Sequence, residues 1–213
     1  VLPCLAICIQ ITCMCDRLGG DLMVIELAPA FTLGDAREAG LRKDQVYDLL
    51  NRGEIERVGR GAFVRPDEID PLHATLAAAS AVQPTATLCL TSALVHHELS
   101  DAIPFATDIA LPRGTRHPAG FTHVAWHSFD ATTFELGREH ADAGSGLQVA
   151  IYSPERTIID AFRLVHQEGS DVAHEALRRW LRRRGTSPAR LLKMADSFPK
   201  ARPRLRLALE ALL

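Results

Sequence analysis

Apolar positions between Phe31 and Pro66 change period twice. Val46, Leu49 and Leu50 recur at i, i+3 and i+4, one buried helical stripe, so a helix is expected over Arg42 to Asn51. A shorter helix fits Asp35 to Ala39 ahead of it, with Gly34 and Asp35 as start signals and Gly40 as the stop. Gly53 closes the second helix, because glycine enters the left-handed region without a Cβ clash. Ile55 to Val58 and Ala62 to Val64 then alternate as two short strands, turned by Gly59-Arg60-Gly61. Helix, tight turn, helix and hairpin in that order form the pattern of a winged helix-turn-helix, assigned to residues 23–66.

The remainder, residues 67–213, reads as a second domain. Pro66 to Pro71 is expected to be a hinge, with Asp70 capping a helix that opens on Pro71 and runs to about Val82. Strands are expected over Thr85 to Leu90, Asp108 to Leu111, Thr122 to His127 and Leu147 to Tyr152. A short helix capped by Thr91 or Ser92 reaches Leu99. Ser153 and Pro154 open a helix to about His166, with Ile158, Ile159, Phe162 and Val165 turned inward. From Asp171 another helix sets Val172, Ala176, Leu177, Trp180 and Leu181 on one face and Arg178, Arg179, Arg182 and Arg183 on the other. Two further helices fit Pro188 to Asp196 and Pro203 to Leu213. The expected fold class is α+β: an N-terminal winged helix-turn-helix, then a mixed sheet-plus-helices C-terminal domain.

Composition sharpens this only in places. Of 213 residues, 47% are hydrophobic and 23% charged, which argues against disorder and leaves enough apolar mass for a core. The formal net charge of −2 hides a strong asymmetry. From Arg178 to Arg206 every charged residue is basic except Asp196, so this segment suggests an anionic partner. Cys4, Cys8, Cys13 and Cys15 crowd the first residues without the second half of a metal site, and the odd total with Cys89 points to a reducing compartment. Residues 1–22 lack the basic start of a signal peptide and are read as an extension, with Met23 as an alternative start. A cytoplasmic protein without membrane association is expected.

The chemistry follows the basic residues. Arg42, Lys43, Gln45, Asp48 and Asn51 lie off the apolar stripe of the second helix, within reach of bases or phosphates. Arg57, Arg60 and Arg65 decorate the wing, where arginine tracks phosphate or enters a minor groove. Asp44, Glu54 and Glu56 dilute that field, and winged folds also serve as protein-interaction modules. Arg178, Arg179, Arg182 and Arg183 extend the expected DNA contact. Nine histidines prompt a search for metal ligands; His96 and His97 are merely adjacent, and His123 and His127 on one strand face would stand about 13 Å apart. No metal site is expected. Walker, Rossmann, kinase and Gly-x-Ser-x-Gly signatures are absent, which argues against a conventional enzyme. Arg156 and Asp160, at i and i+4, read as a buried ion pair tying helix to sheet, with a contact to a partner protein or an active group as the alternative.

Taken in order, "GEIERVGRGAFVR", "LTSALVHHELSD", "DIALPRG" and "GLQVAIYSPERTIIDAFR" resemble the AbiEi family of antitoxins from type IV toxin–antitoxin and abortive-infection operons. The likeness runs over roughly residues 25–213. Its most specific pieces are Gly59 to Val64, Ser92-Ala93-Leu94, and Glu155-Arg156-Thr157 to Asp160. The resemblance implies an antitoxin that represses its own operon through the winged module and neutralises a cognate nucleotidyltransferase-like toxin. It implies operator DNA and that toxin as partners, and no cofactor. Two alternatives stay open: an atypical serine protein kinase that phosphorylates the toxin and so needs ATP, and a ligand-sensing transcriptional regulator. The toxin-contacting residues are not given by the resemblance.

Overall fold

The computed structural model describes residues 27–213. The extension expected at residues 1–22, its four cysteines and Met23 lie outside them. The chain is α+β, with helices and a mixed sheet. Among the described residues no helix is long and apolar enough to cross a membrane.

The first sheet among the described residues is three-stranded and antiparallel, in the order β1 (Ala30–Thr32), β3 (Ala62–Val64), β2 (Glu56–Gly59). Strand β1 is too short to announce itself by alternation. Helix α1 (Leu33–Glu38) starts earlier than expected, because Thr32 rather than Gly34 is its cap. The Thr32 hydroxyl accepts the Asp35 N–H at 3.2 Å, and the Asp35 carboxylate accepts the Thr32 N–H at 2.7 Å, a reciprocal capping box. Helix α2 (Lys43–Arg52) buries Val46 and Leu49 and ends at Gly53, whose φ of 75° is the left-handed cap expected of it. These faces close on Phe31 and Phe63, stacked 5.7 Å apart.

Residues 66–71, expected as a hinge, are packed instead. Ile69 is buried, and the Asp70 N–H donates to the Ala143 carbonyl at 2.8 Å. Asp70 caps no helix: its carboxylate accepts the Leu72 N–H at 2.9 Å and stabilises a turn, and helix α3 (Ala74–Val82) begins after His73. Helix α3 touches β1, β2 and β3 and also reaches strands of the second sheet. Its Ala77, Ala78 and Ala79 are fully buried, and only side chains this small let two sheets approach one helix. One apolar cluster therefore runs without a break from Ala30 and Val64 through Leu76 to Ile109 and Ile151.

The second sheet has the order β6 (Val124–Phe129), β5 (Thr107–Pro112), β4 (Thr87–Leu88), β8 (Gln148–Tyr152), β7 (Arg138–Asp142). Pairs β4–β8 and β5–β6 are parallel, and β4–β5 and β7–β8 antiparallel. Strand β6 begins two residues later than its apolar pattern suggests, and β4 keeps only two residues of the expected strand. Strand β7 is an exposed, polar edge, which is why periodicity missed it. Helices α4 (Leu90–His96), α5 (Pro154–Arg163), α6 (Val165–Glu168), α7 (Ser170–Leu181), α8 (Pro188–Ala195) and α9 (Arg202–Leu212) complete the chain. The expected helix from Pro154 to His166 breaks at Leu164.

At the centre of α5, Arg156 and Asp160 form the buried ion pair read from the sequence, with Nε 2.9 Å from Oδ2 and both side chains essentially inaccessible. Arg156 Nη1 also donates to the Thr133 and Leu136 carbonyls, each at 2.6 Å. Its guanidinium lies over the rings of Tyr152 and Phe198, 4.3 and 4.5 Å from their centroids.

The tip of the β2–β3 hairpin is not free. The Arg60 N–H donates to the Ala119 carbonyl at 3.1 Å, and a Cβ on Gly59 would stand 2.4 Å from the Phe121 ring. A Cβ on Gly120, whose φ is 81°, would stand 2.8 Å from the Arg60 backbone nitrogen. Gly120→Ala thus meets backbone and a strained φ together and should cost about 2–4 kcal/mol. Gly59→Ala meets only a half-buried ring that can swing, and should cost about 1 kcal/mol. Urea denaturation of the two variants checks the order; a smaller loss for Gly120→Ala would show that the 119–121 loop does not hold the hairpin.

Candidate nucleic-acid interface

Lys43, Asn51 and Arg60 present exposed side chains from α2 and the hairpin tip. Lys43 sits over the Tyr47 ring, 5.8 Å from its centroid. Arg57, also exposed, turns its Nε to the Gly59 carbonyl at 3.2 Å, which stiffens the hairpin while leaving the rest of the guanidinium available. Arg42 is exposed but paired with Asp44, Nη2 to Oδ2 at 3.1 Å. The hydrogen bond and charge of each raise the Arg42 pKa and lower that of Asp44, so this corner of α2 contributes little net field. Gln45 is half-buried and accepts the Arg42 N–H at 2.9 Å, serving the start of α2.

Arg65 departs from the expectation. Its side chain is only 11% exposed, pairs with Glu68 at 2.7 Å and donates to the Leu27 carbonyl at 2.5 Å. It ties β3 to the residues before β1 instead of decorating a wing. Arg116, unremarked in the sequence, is exposed in the loop whose Ala119 and Phe121 meet the hairpin tip.

The four arginines of the C-terminal helix do not all face outward. Arg179 grips Asp101 through both terminal nitrogens and holds Glu175 through Nε at 2.9 Å. These hydrogen bonds raise its pKa further and lower those of Asp101 and Glu175. Arg183 donates to the His97 carbonyl. Both therefore brace the connection from α4 to β5. Arg178, in loose contact with Glu175 at 3.6 Å, and Arg182 remain exposed. The repulsion expected among the four is relieved by these acids and by the helix C-terminus, whose partial negative charge favours cations. In the braced connection Ile103 and Phe105 are 96% and 98% exposed, an unusual state for large apolar side chains.

Two polar clusters escaped the sequence reading because their members are far apart in the chain. Asp108 on β5 accepts the Ser92 N–H at 3.2 Å, the Ser92 hydroxyl at 3.1 Å and His127 Nε2 at 2.9 Å. Here the carboxylate lies between hydroxyl and imidazole, so His127 does not touch the Ser92 hydroxyl and the two do not form a Ser–His pair. The cluster caps α4 from a neighbouring strand, where Thr91 or Ser92 is the expected cap. The second cluster joins His73 Nε2 to His96 Nδ1 at 3.0 Å, with Asp70 3.6 Å from His73 and the His97 ring stacked edgewise on His96. Among the described residues no group of three or more His, Cys, Asp or Glu side chains is arranged to hold a metal.

Searches against family models and against curated proteins find no match to this chain.

Burial, with His97 and His73 adding, lowers His96 to about 4 from the usual 6.5, and burial also lowers His97. Unfolding restores ordinary values, so between pH 6.5 and about 4 the unfolded chain binds more protons than the folded one. Stability is then full above that window and falls as pH drops through it. The urea midpoint should be lower at about pH 5 than at about pH 7.5, and His96→Gln should shrink the difference. An unchanged difference in His96→Gln would mean that these imidazoles are not what titrates.

Proposed function

We propose that this chain is an antitoxin that binds operator DNA through its N-terminal module and neutralises a nucleotidyltransferase-like toxin through its C-terminal part. The observation that carries the DNA half is the surface of residues 27–65. Two short helices joined by a tight turn are followed by a hairpin, and Lys43, Asn51, Arg57 and Arg60 are exposed on α2 and the hairpin. We read this module as a winged helix-turn-helix with α2 toward the major groove. Phosphate contact falls to Lys43, Arg57 and Arg60, and Asn51 has the side-chain amide that pairs with adenine edges. The hairpin tip reaches the groove together with the 119–121 loop that holds it, and Arg116, exposed in the same connection, is a further candidate for phosphate contact.

The toxin half rests on the Ile103/Phe105 loop. Large apolar side chains left in water, in a connection whose start is held by Arg179 and Arg183, favour a protein partner over nucleic acid. Neutralisation by complex formation leaves the toxin chemically unmodified, whereas the kinase alternative adds one phosphoryl group, which the intact mass of co-expressed toxin distinguishes.

Reversing charge at Lys43 and Arg60 together should weaken binding to the upstream operator about tenfold or more and flatten its dependence on salt. Growth rescue from the toxin should persist. Unchanged gel shifts would remove α2 and the hairpin from the interface.

The arginine quartet should divide. Arg178→Gln with Arg182→Gln lowers operator affinity and spares rescue, if the outward pair meets DNA. Ile103→Asp with Phe105→Asp abolishes rescue and spares the gel shift, and Arg179→Gln with Arg183→Gln weakens rescue by loosening the same loop. Rescue by the Ile103/Phe105 variant at wild-type level would show that the toxin binds elsewhere.

A further inference from the structure

A cleft of about 310 Å³ opens where the β6–β7 connection, the C-terminal end of α5 and the α8–α9 connection meet. Its walls carry Arg113, Asp130, Thr132, Arg163, Ser197 and Lys200. Beneath it lies the buried carboxylate of Asp160, shared by two arginines. Arg156 takes Oδ2, while Arg163 takes Oδ1 through Nε at 2.9 Å and Nη2 at 2.8 Å. A single carboxylate balances one of these guanidinium groups and leaves the other in excess. The Arg156 charge is enclosed, whereas Arg163 is 22% exposed and lines the cleft.

The rim adds to this excess. Arg113 and Lys200 bring two more cations, and Asp130 is the rim's carboxylate. Asp130 is largely committed elsewhere, since its Oδ1 accepts the Thr132 hydroxyl at 2.7 Å and the Thr132 N–H at 3.0 Å. Its Oδ2 stands 3.9 Å from Arg113, too far for a hydrogen bond. Those Thr132 contacts, with Arg113 and Arg163 behind them, hold its carboxyl below the usual range, in keeping with a positive local potential. Four cations against two carboxylates leave an excess of two positive charges around the recess, and Arg113, Arg163 and Lys200 are the three that line it. Asp160 and the Phe129 ring 4.6 Å away fix the Arg163 guanidinium; its Nε and buried Nη2 lie against Asp160, which leaves Nη1 for a ligand, set in place before one arrives.

We propose that this cleft binds a phosphoryl dianion, as inorganic phosphate or a phosphate monoester, between Arg113, Arg163 and Lys200. Two planar guanidinium groups and an ammonium converging from three segments suit a compact tetrahedral anion with several equivalent oxygens. The charge excess of two matches a monoester and exceeds what a single phosphodiester carries. The site uses no residue of α2 or the hairpin and rests on neither the DNA nor the toxin assignment.

Calorimetric titration of the full chain with inorganic phosphate, AMP and dimethyl phosphate, at constant ionic strength, tests the assignment. Phosphate should bind, and Arg113→Glu with Lys200→Glu should weaken it about tenfold or more, as expected for losing charge-assisted hydrogen bonds. Both residues are exposed, so circular dichroism and the melting temperature without phosphate should match wild type. Arg206→Glu, away from the cleft, should leave phosphate binding unchanged. AMP displacing phosphate with higher affinity assigns a nucleotide monoester, and AMP binding no tighter assigns free phosphate. Absence of phosphate binding, equal binding by the folded double variant, or dimethyl phosphate binding as tightly as phosphate would each overturn the dianion site.

Discussion

A carboxylate with no access to water governs the arrangement of the C-terminal part. Asp160 is fully buried, and its desolvation is tolerable only while Arg156 and Arg163 stay against it. That requirement fixes more than one helix. Arg156 can face Asp160 only from the same face of α5, one turn away, and its remaining donors then reach the carbonyls of Thr133 and Leu136. Tyr152 from β8 and Phe198 from the α8–α9 connection close over the guanidinium. Meanwhile the apolar positions of α5 pack α4, α7, α8 and α9. Polar specificity on one side and apolar burial on the other make α5 the point where sheet and helices are keyed together.

Helix α3 does the corresponding task between the two sheets, by smallness rather than charge. Alanine contributes little transfer free energy per residue, but it lets the small N-terminal sheet share one continuous apolar cluster with the larger sheet. Two polar contacts reinforce the junction, Asp70 to Ala143 and Arg60 to Ala119. A Cβ at Gly144 would stand 2.4 Å from the Glu68 carbonyl, so the β7–β8 turn presses directly on the segment leading into α3. The hairpin and the five-stranded sheet therefore move as neighbours in contact. For the proposed DNA interface this means that the hairpin's angle to α2 is set partly by residues outside the module.

What could be read in the chain follows the range of each interaction. Helices α2, α5 and α7 and the β2–β3 hairpin are legible because their signals are local: an i, i+3, i+4 stripe, a capping Ser153, a glycine where φ must be positive. The Arg156–Asp160 pair is legible for the same reason, being one helical turn apart. Strands β1 and β7 are not, since one is three residues long and the other is a polar edge whose pairing partner alone makes it a strand. The start of α3 was misplaced because Asp70 and Pro71 suit a turn as well as a helix start, and the contact with Ala143 decides between them. Arg65 shows the limit for the candidate site. A basic residue beside a hairpin has the same local signature whether it faces solvent or ties down the chain near Leu27.

The basic C-terminal segment makes the same point about charge. A window running from Arg178 to Arg206 begins and ends on arginine, and so excludes Glu175 and Glu210, which pair with Arg179 and Arg206 on the same helices. It also cannot contain Asp101, which Arg179 holds from a distant loop. Within the window Arg202 takes Asp196. Sequence asymmetry therefore overstates the field of the folded surface, because pairing is decided in space. Arg184, Arg190, Lys193 and Arg204 stay exposed along the segment, and others are divided between places. Arg178 and Arg182 lie at the end of α7, while Lys200 joins Arg113 and Arg163 from other parts of the chain in the cleft. An extended polyanion and a compact dianion ask for different geometries, spread cations for the first and converging ones for the second. The segment that looked like one electrostatic feature thus contributes to two surfaces, and only the convergent one is assembled from residues that no charge count would have grouped.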